Sequence, residues 1–218
     1  MDAIVLAAGK GIRMNIECPK QFLKINGKPC FIYTLEILNQ CKKITNIILT
    51  CNDAYFEDYQ KYILTYNIKN TKCVLGGNTR QASVYNALKY VNSTKVLIHE
   101  AARPLISVDF VEEILSYSEE DAVVPTIPIS FTVAQGNQYM EKELDRSQLH
   151  NIQLPQLFTT RKLKIAHQSA IKDNYVATED GMLVFKYGVK VRFIKGREAN
   201  IKITTPLDIE IVEKLLKL

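Results

Sequence analysis

The first twenty residues constrain this chain more than any other stretch. An apolar run from Ala3 to Leu6 leads directly into Ala7-Ala8-Gly9-Lys10-Gly11, a segment with almost no side-chain bulk. A buried strand that empties into such a segment lets the backbone approach a ligand closely, and its N–H groups can cradle phosphate oxygens. Two cations, Arg13 and Lys20, follow within one loop and can neutralise charge that builds on a phosphate during reaction. The stretch fits neither familiar template. Met14 stands where a dinucleotide fingerprint needs its third glycine, and no Gly-Lys-Ser/Thr follows at P-loop spacing. A tight βα turn with surface cations would account for the same glycines. The functional reading is favoured by Pro19-Lys20-Gln21, in which a proline pins a lysine beside a loop already suited to anions.

Beyond that stretch, short apolar runs alternate with helical patterns. The runs are Ile47–Thr50, Lys72–Leu75 and Val96–His99; the helical patterns are Tyr55–Leu64, Ala82–Val91 and Phe110–Tyr117. The rhythm predicts an α/β fold, with a Rossmann-like, mainly parallel sheet and helices on both faces. Ligands in such sheets sit beyond the carboxyl ends of the strands, at a switch in strand order. With 218 residues, 47% of them hydrophobic, and no linker, one domain over 1–218 is expected. The 28 basic and 23 acidic residues are interspersed and give a net charge of +5, which suits a small anionic substrate better than nucleic acid. Five cysteines without metal spacing suit reduced thiols, and neither a signal peptide nor a membrane-spanning run is visible, so a soluble cytoplasmic protein is expected.

Two further clusters follow strand ends. Gly76-Gly77-Asn78-Thr79-Arg80-Gln81-Ala82-Ser83 has paired glycines for close backbone approach, with Arg80 and Ser83 on one side of a starting helix. An ordinary glycine turn with Thr79 as a helix cap would also fit. Ile98-His99-Glu100-Ala101-Ala102-Arg103-Pro104 sets an acid at the end of a buried strand, three residues before an arginine. A loop-fastening Glu100–Arg103 ion pair is the plainer reading of it. His99 reads as a packed strand residue without a role.

Leu6-Ala7-Ala8-Gly9-x-Gly11-x-Arg13-Met14 with Pro19-Lys20-Gln21-Phe22 resembles the polyol-phosphate cytidylyltransferases, the family that acts on 2-C-methyl-D-erythritol 4-phosphate and, in near relatives, on ribitol 5-phosphate. The resemblance runs from about residue 3 to 211. It implies transfer of CMP from CTP to a polyol phosphate, with release of pyrophosphate and Mg²⁺ as cofactor. It further implies that Leu6, Ala7, Ala8, Gly9, Gly11, Gly77, Arg80, Ser83 and Ala101 bind the nucleotide. Arg13 and Lys20 would stabilise the transition state. Glu100 would stand near Mg²⁺ and substrate where the family usually has Asp. Glutamate keeps the hard oxygen that Mg²⁺ prefers, but displaces it by about 1.5 Å. Arg103 would face the substrate.

From Ala122 to Leu149 the rhythm becomes that of a hairpin. A strand ends at Val123-Val124-Pro125, a second covers Ile127 to Val133, a turn follows at Gln135-Gly136-Asn137, and a strand returns through Met140 and Leu144. The resemblance makes the segment at about 129–149 an arm that reaches into a partner's site in a homodimer. Thr132 and Arg146 match its substrate-side threonine and arginine. Phe131 and Leu154 depart from the family pattern on what the resemblance makes the acceptor side. In Asn200-Ile201-Lys202-Ile203-Thr204, Lys202 matches the substrate-binding lysine, and Arg146 and Lys202 would hold the acceptor phosphate. Thr178 reads as a helix cap with Glu179 and Asp180 in the first turn, and Thr205 as the cap of a last helix opened by Pro206. Rival readings are another polyol phosphate as acceptor, a non-catalytic CTP-binding regulator, and a dehydrogenase, which the broken fingerprint disfavours.

Overall fold

A computed structural model describes residues 1–9 and 20–217 of the chain. Gly11, Arg13, Met14, Cys18 and Pro19 lie outside the described residues, and of Lys20 only the backbone is described.

The expected parallel sheet forms from β1 (Asp2–Leu6), β4 (Asn46–Cys51), β5 (Thr71–Leu75) and β6 (Lys95–Glu100). β1 pairs in parallel with both β4 and β6, and β4 with β5. The chain therefore moves outward from β1 on one side and then crosses to its other side, which places the switch in strand order at the carboxyl end of β1. A small hairpin, β2 (Lys24–Ile25) and β3 (Lys28–Pro29), precedes helix α1 (Cys30–Gln40), and Asn26 and Gly27 supply its two positive-φ turn positions.

Successive residues of β1 point to opposite faces and so seed two cores. Ala3 and Val5 join Phe31, Leu35 and Leu38 of α1, Tyr59 of α2 (Phe56–Thr65) and Phe110 of α4 (Val108–Ser116). Ile4 instead joins Val84 and Leu88 of α3 (Arg80–Leu88), Leu163 and Ala166 of α5 (Thr160–Lys172), and Leu183 of α6 (Asp180–Lys186). Helices thus cover both faces, as the alternating pattern predicts.

Three features depart from the expected layout. β7 (Ala122–Pro128) is one continuous strand and does not end at Pro125. Its residues find neighbours on both sides: β12 (Arg192–Lys195) pairs with Val123–Thr126, while β11 (Gln156–Thr159) and β10 (His150–Ile152) pair with its beginning and end on the opposite side. The expected strand from Ile127 to Val133 is therefore divided. Only its first two residues belong to β7, and the arm proper is the exposed pair β8 (Ala134–Gly136) and β9 (Met140–Glu143), with an irregular register between Gln135 and Gly136. Finally, β11 runs antiparallel between β6 and β7 and makes the sheet mixed. The last helix, α7 (Pro206–Leu215), starts as the sequence indicates: Thr205 and Asp208 form a reciprocal capping box with Pro206 in the first turn.

Candidate active site

A cavity of about 1000 Å³ opens at the carboxyl ends of β1, β4, β5 and β6. The opening loop contributes Leu6, Ala8 and Gly9, the loop after β5 contributes Gly76, Gly77 and Asn78, and Arg80, Ser83, Glu100, Ala102 and Lys202 complete the lining.

Backbone contacts bring the first two clusters together. The Ala7 amide donates to Thr50 at 3.1 Å and the Tyr59 hydroxyl donates to the Ala7 carbonyl at 2.7 Å, so the strand exit is held from both sides. Gln21 Nε2 donates to the Gly9 carbonyl at 2.8 Å and folds the loop back over the sheet end. Gly76 sits against this loop; a Cβ there would fall 2.3 Å from the Ala8 Cβ and 3.1 Å from Ser83 Oγ. Only glycine allows that approach. Thr79 caps α3 by accepting from the Ala82 amide. Ser83 Oγ accepts from the Gly77 amide at 3.0 Å and donates to the Thr79 carbonyl at 2.9 Å, so its hydroxyl shapes the glycine loop.

Arg80 and Glu100 link the second cluster to the third. Arg80 meets three carboxylates: Nε lies 3.2 Å from Glu100, Nη1 2.6 Å from Asp180 and Nη2 2.8 Å from Glu179. Glu100 in turn meets three cations, with Lys202 Nζ 2.7 Å from its Oε2 and Arg103 Nε at 4.0 Å from the same oxygen. Burial opposes ionisation of Glu100, but Lys202 and Arg80 outweigh it and pull its carboxyl down to about 2. Asp180 is more deeply buried, yet Arg80 and His167 hold it below the usual carboxylate range. Glu179 moves the other way, up to about 7: burial and the neighbouring charges of Glu100 and Asp180 outweigh an Arg80 already engaged twice.

That raised carboxyl gives a stability prediction. Between its ordinary 4.5 and about 7 the folded state holds a proton that the unfolded chain releases, so Glu179 makes stability fall as pH rises through this window. The loss is on the order of 3 kcal/mol. Urea unfolding from pH 4.5 to 7.5 should show a shallower decline for Glu179→Gln than for the parent; parallel curves would remove the assignment.

The sequence-predicted residues do not all reach the cavity. Leu6, Ala8, Gly9, Gly77, Arg80, Ser83, Glu100 and Lys202 line it, whereas Ala7 is buried just behind it. Ala101 is fully buried and its neighbour Ala102 takes the lining position. Arg103 turns away, with Nη1 donating to the Asn200 carbonyl at 2.8 Å, and so ties the Lys202 loop to β6. His99 is buried, its burial pushing it down to about 4, and it packs as expected without reaching the cavity. Leu154 belongs to the core beside Phe158 and Leu163, so its apolar side chain is a packing feature. Thr178 does not cap α6, whose cap position is Glu179. Thr132 and Arg146 are exposed outside the cavity, where Arg146 Nη1 donates to the Ser130 carbonyl at 3.0 Å across the base of the arm. Sequence reasoning assigned no site role to Thr50, Asn52, Asp180 or His167. The first two could have been suspected from their place at the end of β4, whereas nothing local marks the others.

Among the described residues no cluster of three or more His, Cys, Asp or Glu side chains could hold a metal, and no helix is long and apolar enough to cross a membrane. The family model described as IspD, 2-C-methyl-D-erythritol 4-phosphate cytidylyltransferase, matches residues 1–218. A protein of that name from Geobacillus kaustophilus is 35% identical over 99% of this chain and 96% of its own length. One from Clostridium botulinum is 38% identical over 99% of both chains. The crystal structure of 4-diphosphocytidyl-2C-methyl-D-erythritol synthase from Anaerococcus prevotii superposes with a TM-score of 0.86 at 27% identity, covering 100% of this chain and 98% of that one. The Thermus thermophilus 2-C-methyl-D-erythritol 4-phosphate cytidylyltransferase superposes at 0.83 with 25% identity, covering 99% and 98%. With a glycine-walled cavity at the sheet's switch point and a buried carboxylate held among cations, this chain belongs to the 2-C-methyl-D-erythritol 4-phosphate cytidylyltransferase family.

Proposed function

We propose that the cavity binds CTP and that the protein transfers its cytidylyl group to 2-C-methyl-D-erythritol 4-phosphate, releasing pyrophosphate. The observation that carries this reading is the convergence of the Ala8–Gly9 loop, the Gly76–Gly77 loop and the Glu100–Lys202 pair on one cavity. A phosphate oxygen of the acceptor attacks the α-phosphorus of CTP, a new P–O bond forms, and the bond to the β-phosphate oxygen breaks. The attacking oxygen is already anionic at neutral pH, so the protein needs no strong base. Its work is positioning and charge neutralisation. The compact glycine loop, held by Ser83, favours a pyrimidine over a purine. Lys202 faces the acceptor phosphate, and Arg13 and Lys20 act on the transferring phosphoryl group.

The residues present fit a bound Mg²⁺. Glu100 Oε2 is buried beside the cavity with no directed hydrogen bond, although Lys202 stands close to it. One carboxylate, completed by triphosphate oxygens and water, is a donor set that Mg²⁺ commonly accepts. When bound, the ion neutralises charge on the triphosphate; Glu100 is the residue that would hold it.

Thr132 and Arg146 join the reaction from a second copy. The arm that carries them exposes Phe131, Tyr139 and Met140 to 82%, 78% and 78%, a set of large apolar side chains that a partner would cover. A pyrophosphate-release assay tests the reading, using CTP, UTP, ATP and GTP against 2-C-methyl-D-erythritol 4-phosphate and ribitol 5-phosphate. CTP with the former should turn over fastest, by about tenfold or more over a purine nucleotide. Equal turnover with ATP would overturn the cytidylyl assignment, and faster turnover with ribitol 5-phosphate would overturn the acceptor.

A further inference from the structure

We propose that Asp180, backed by His167, is a positioning residue for cytidylyl transfer: it holds one end of the Arg80 guanidinium so that Glu100 keeps its second oxygen for the ligand side of the cavity. The inference rests on the roles proposed above for Glu100 and Lys202.

A guanidinium beside a carboxylate favours a two-pronged pairing that uses both carboxylate oxygens. Arg80 and Glu100 do not pair that way. Only Arg80 Nε approaches Glu100, at Oε1, while Nη1 is taken by Asp180 Oδ2 at 2.6 Å and Nη2 lies 2.8 Å from Glu179 Oε2. Oε2 of Glu100 therefore stays with Lys202 at the cavity. Asp180 can hold Arg80 because it is itself fixed. Its side chain and that of His167 are each 1% exposed, and Oδ1 lies 3.3 Å from His167 Nε2. The His167 ring is stacked on Tyr85, with centroids 6.0 Å apart. The next backbone amide, Gly181, donates to Gln156 Oε1 at 3.0 Å, which fastens the start of α6 to β11.

The arrangement has a second consequence at the other end of Arg80. This residue opens α3, the helix whose Ser83 shapes the Gly77 loop. Asp180 thus anchors the guanidinium that sits between the nucleotide loop and Glu100. Without it, the guanidinium is free to swing its Nη1–Nη2 edge onto Glu100 and draw Oε2 away from Lys202. A buried ion pair that served folding alone would stabilise the protein without regard to what Glu100 does.

The test is a double-mutant cycle of Asp180→Asn with Glu100→Gln in the full-length protein, with melting curves confirming that each variant is folded. Asp180→Asn should lower kcat by about 10–100-fold, the usual cost of losing an outer-shell partner of a ligating group. In the Glu100→Gln background the same change should cost less than about twofold, because the carboxylate it orients is gone. Calorimetric titration with CTP supplies a readout apart from turnover. Asp180→Asn should diminish the gain in CTP affinity that Mg²⁺ confers, while affinity without Mg²⁺ stays within about threefold. His167→Leu leaves Arg80, Asp180 and Glu100 themselves in place; should Asp180→Asn not fold, it carries the same cycle, with an expected loss of about threefold or more. A full loss on top of Glu100→Gln, or an undiminished Mg²⁺ gain, would overturn the inference while the proposed function stands. A normal rate for Glu100→Gln alone would instead remove the proposed role of Glu100, and this inference with it.

Discussion

Glu100→Gln should lower kcat by about 10²–10³, the scale of losing one preorganised electrostatic group, and should also destabilise the protein. Both effects have one origin. The carboxylate is the shared anion of Lys202, Arg80 and Arg103, and it fixes where those charges point. Glutamine keeps the shape and removes the charge, leaving three half-buried cations without their common partner. The carboxyl titrates near 2 in the fold, below its ordinary 4.5. Its contribution to stability is therefore fully present above pH 4.5 and is lost as pH falls through 2. That contribution is on the order of 3 kcal/mol at neutral pH. Urea unfolding at pH 7 should show the deficit, and the variant's acid-unfolding curve should be flatter between pH 4.5 and 2. A variant that unfolds like the parent and turns over within about threefold of it would show that the charge is not needed at the site.

The parts of the fold that can be read in the sequence are those whose neighbours lie on both faces of the sheet. β1, β4 and β6 are short apolar runs because helices cover both sides of them, and α5 and α7 show one apolar face because the other meets solvent. Helix α1 is harder to see. Cys30, Phe31, Ile32, Thr34, Leu35 and Leu38 bury most of its circumference, and no side chain caps it after Pro29. The strands β10 and β11 are three and four residues long, and no short apolar pattern reveals that they enter a parallel sheet antiparallel. At the site, the glycine loops and Lys202 are legible because local geometry or a motif demands them. The clamp on Arg80 is not. Asp180 lies 100 residues away from Arg80 along the chain, and next to Glu179 it satisfies the ordinary preference for acids in a first helical turn. A tertiary ion pair uses the same residues that a local rule already explains. Leu154 illustrates the reverse error: it departs from a family pattern in sequence, yet in the fold it is a core side chain.

The mixed dimer of Arg146→Ala and Lys202→Ala subunits should recover activity that neither variant has alone. Lys202 lines the cavity of its own chain, whereas Arg146 sits at the base of an exposed arm, its guanidinium bonded only across that base to Ser130 among the described contacts. Each homodimer should be reduced by about 10²–10³ because each of its sites lacks one of the two cations proposed to hold the acceptor phosphate. If the arm crosses to the partner, a mixed dimer contains one site with both lesions and one with neither. Random exchange of equal amounts makes half of the dimers mixed, so about one quarter of all sites are intact and activity returns to about a quarter of the parent value. If Arg146 serves its own cavity, every site in the mixture carries one lesion and activity stays at the level of the separate variants. Native mass spectrometry confirms that exchange has occurred. The arm's own surface supplies a second arm to the experiment: Phe131→Ser with Met140→Ser, both on exposed apolar positions, should weaken dimerisation and reduce turnover together as the protein is diluted. Turnover per chain that does not change on dilution to monomer would place the complete site within one chain.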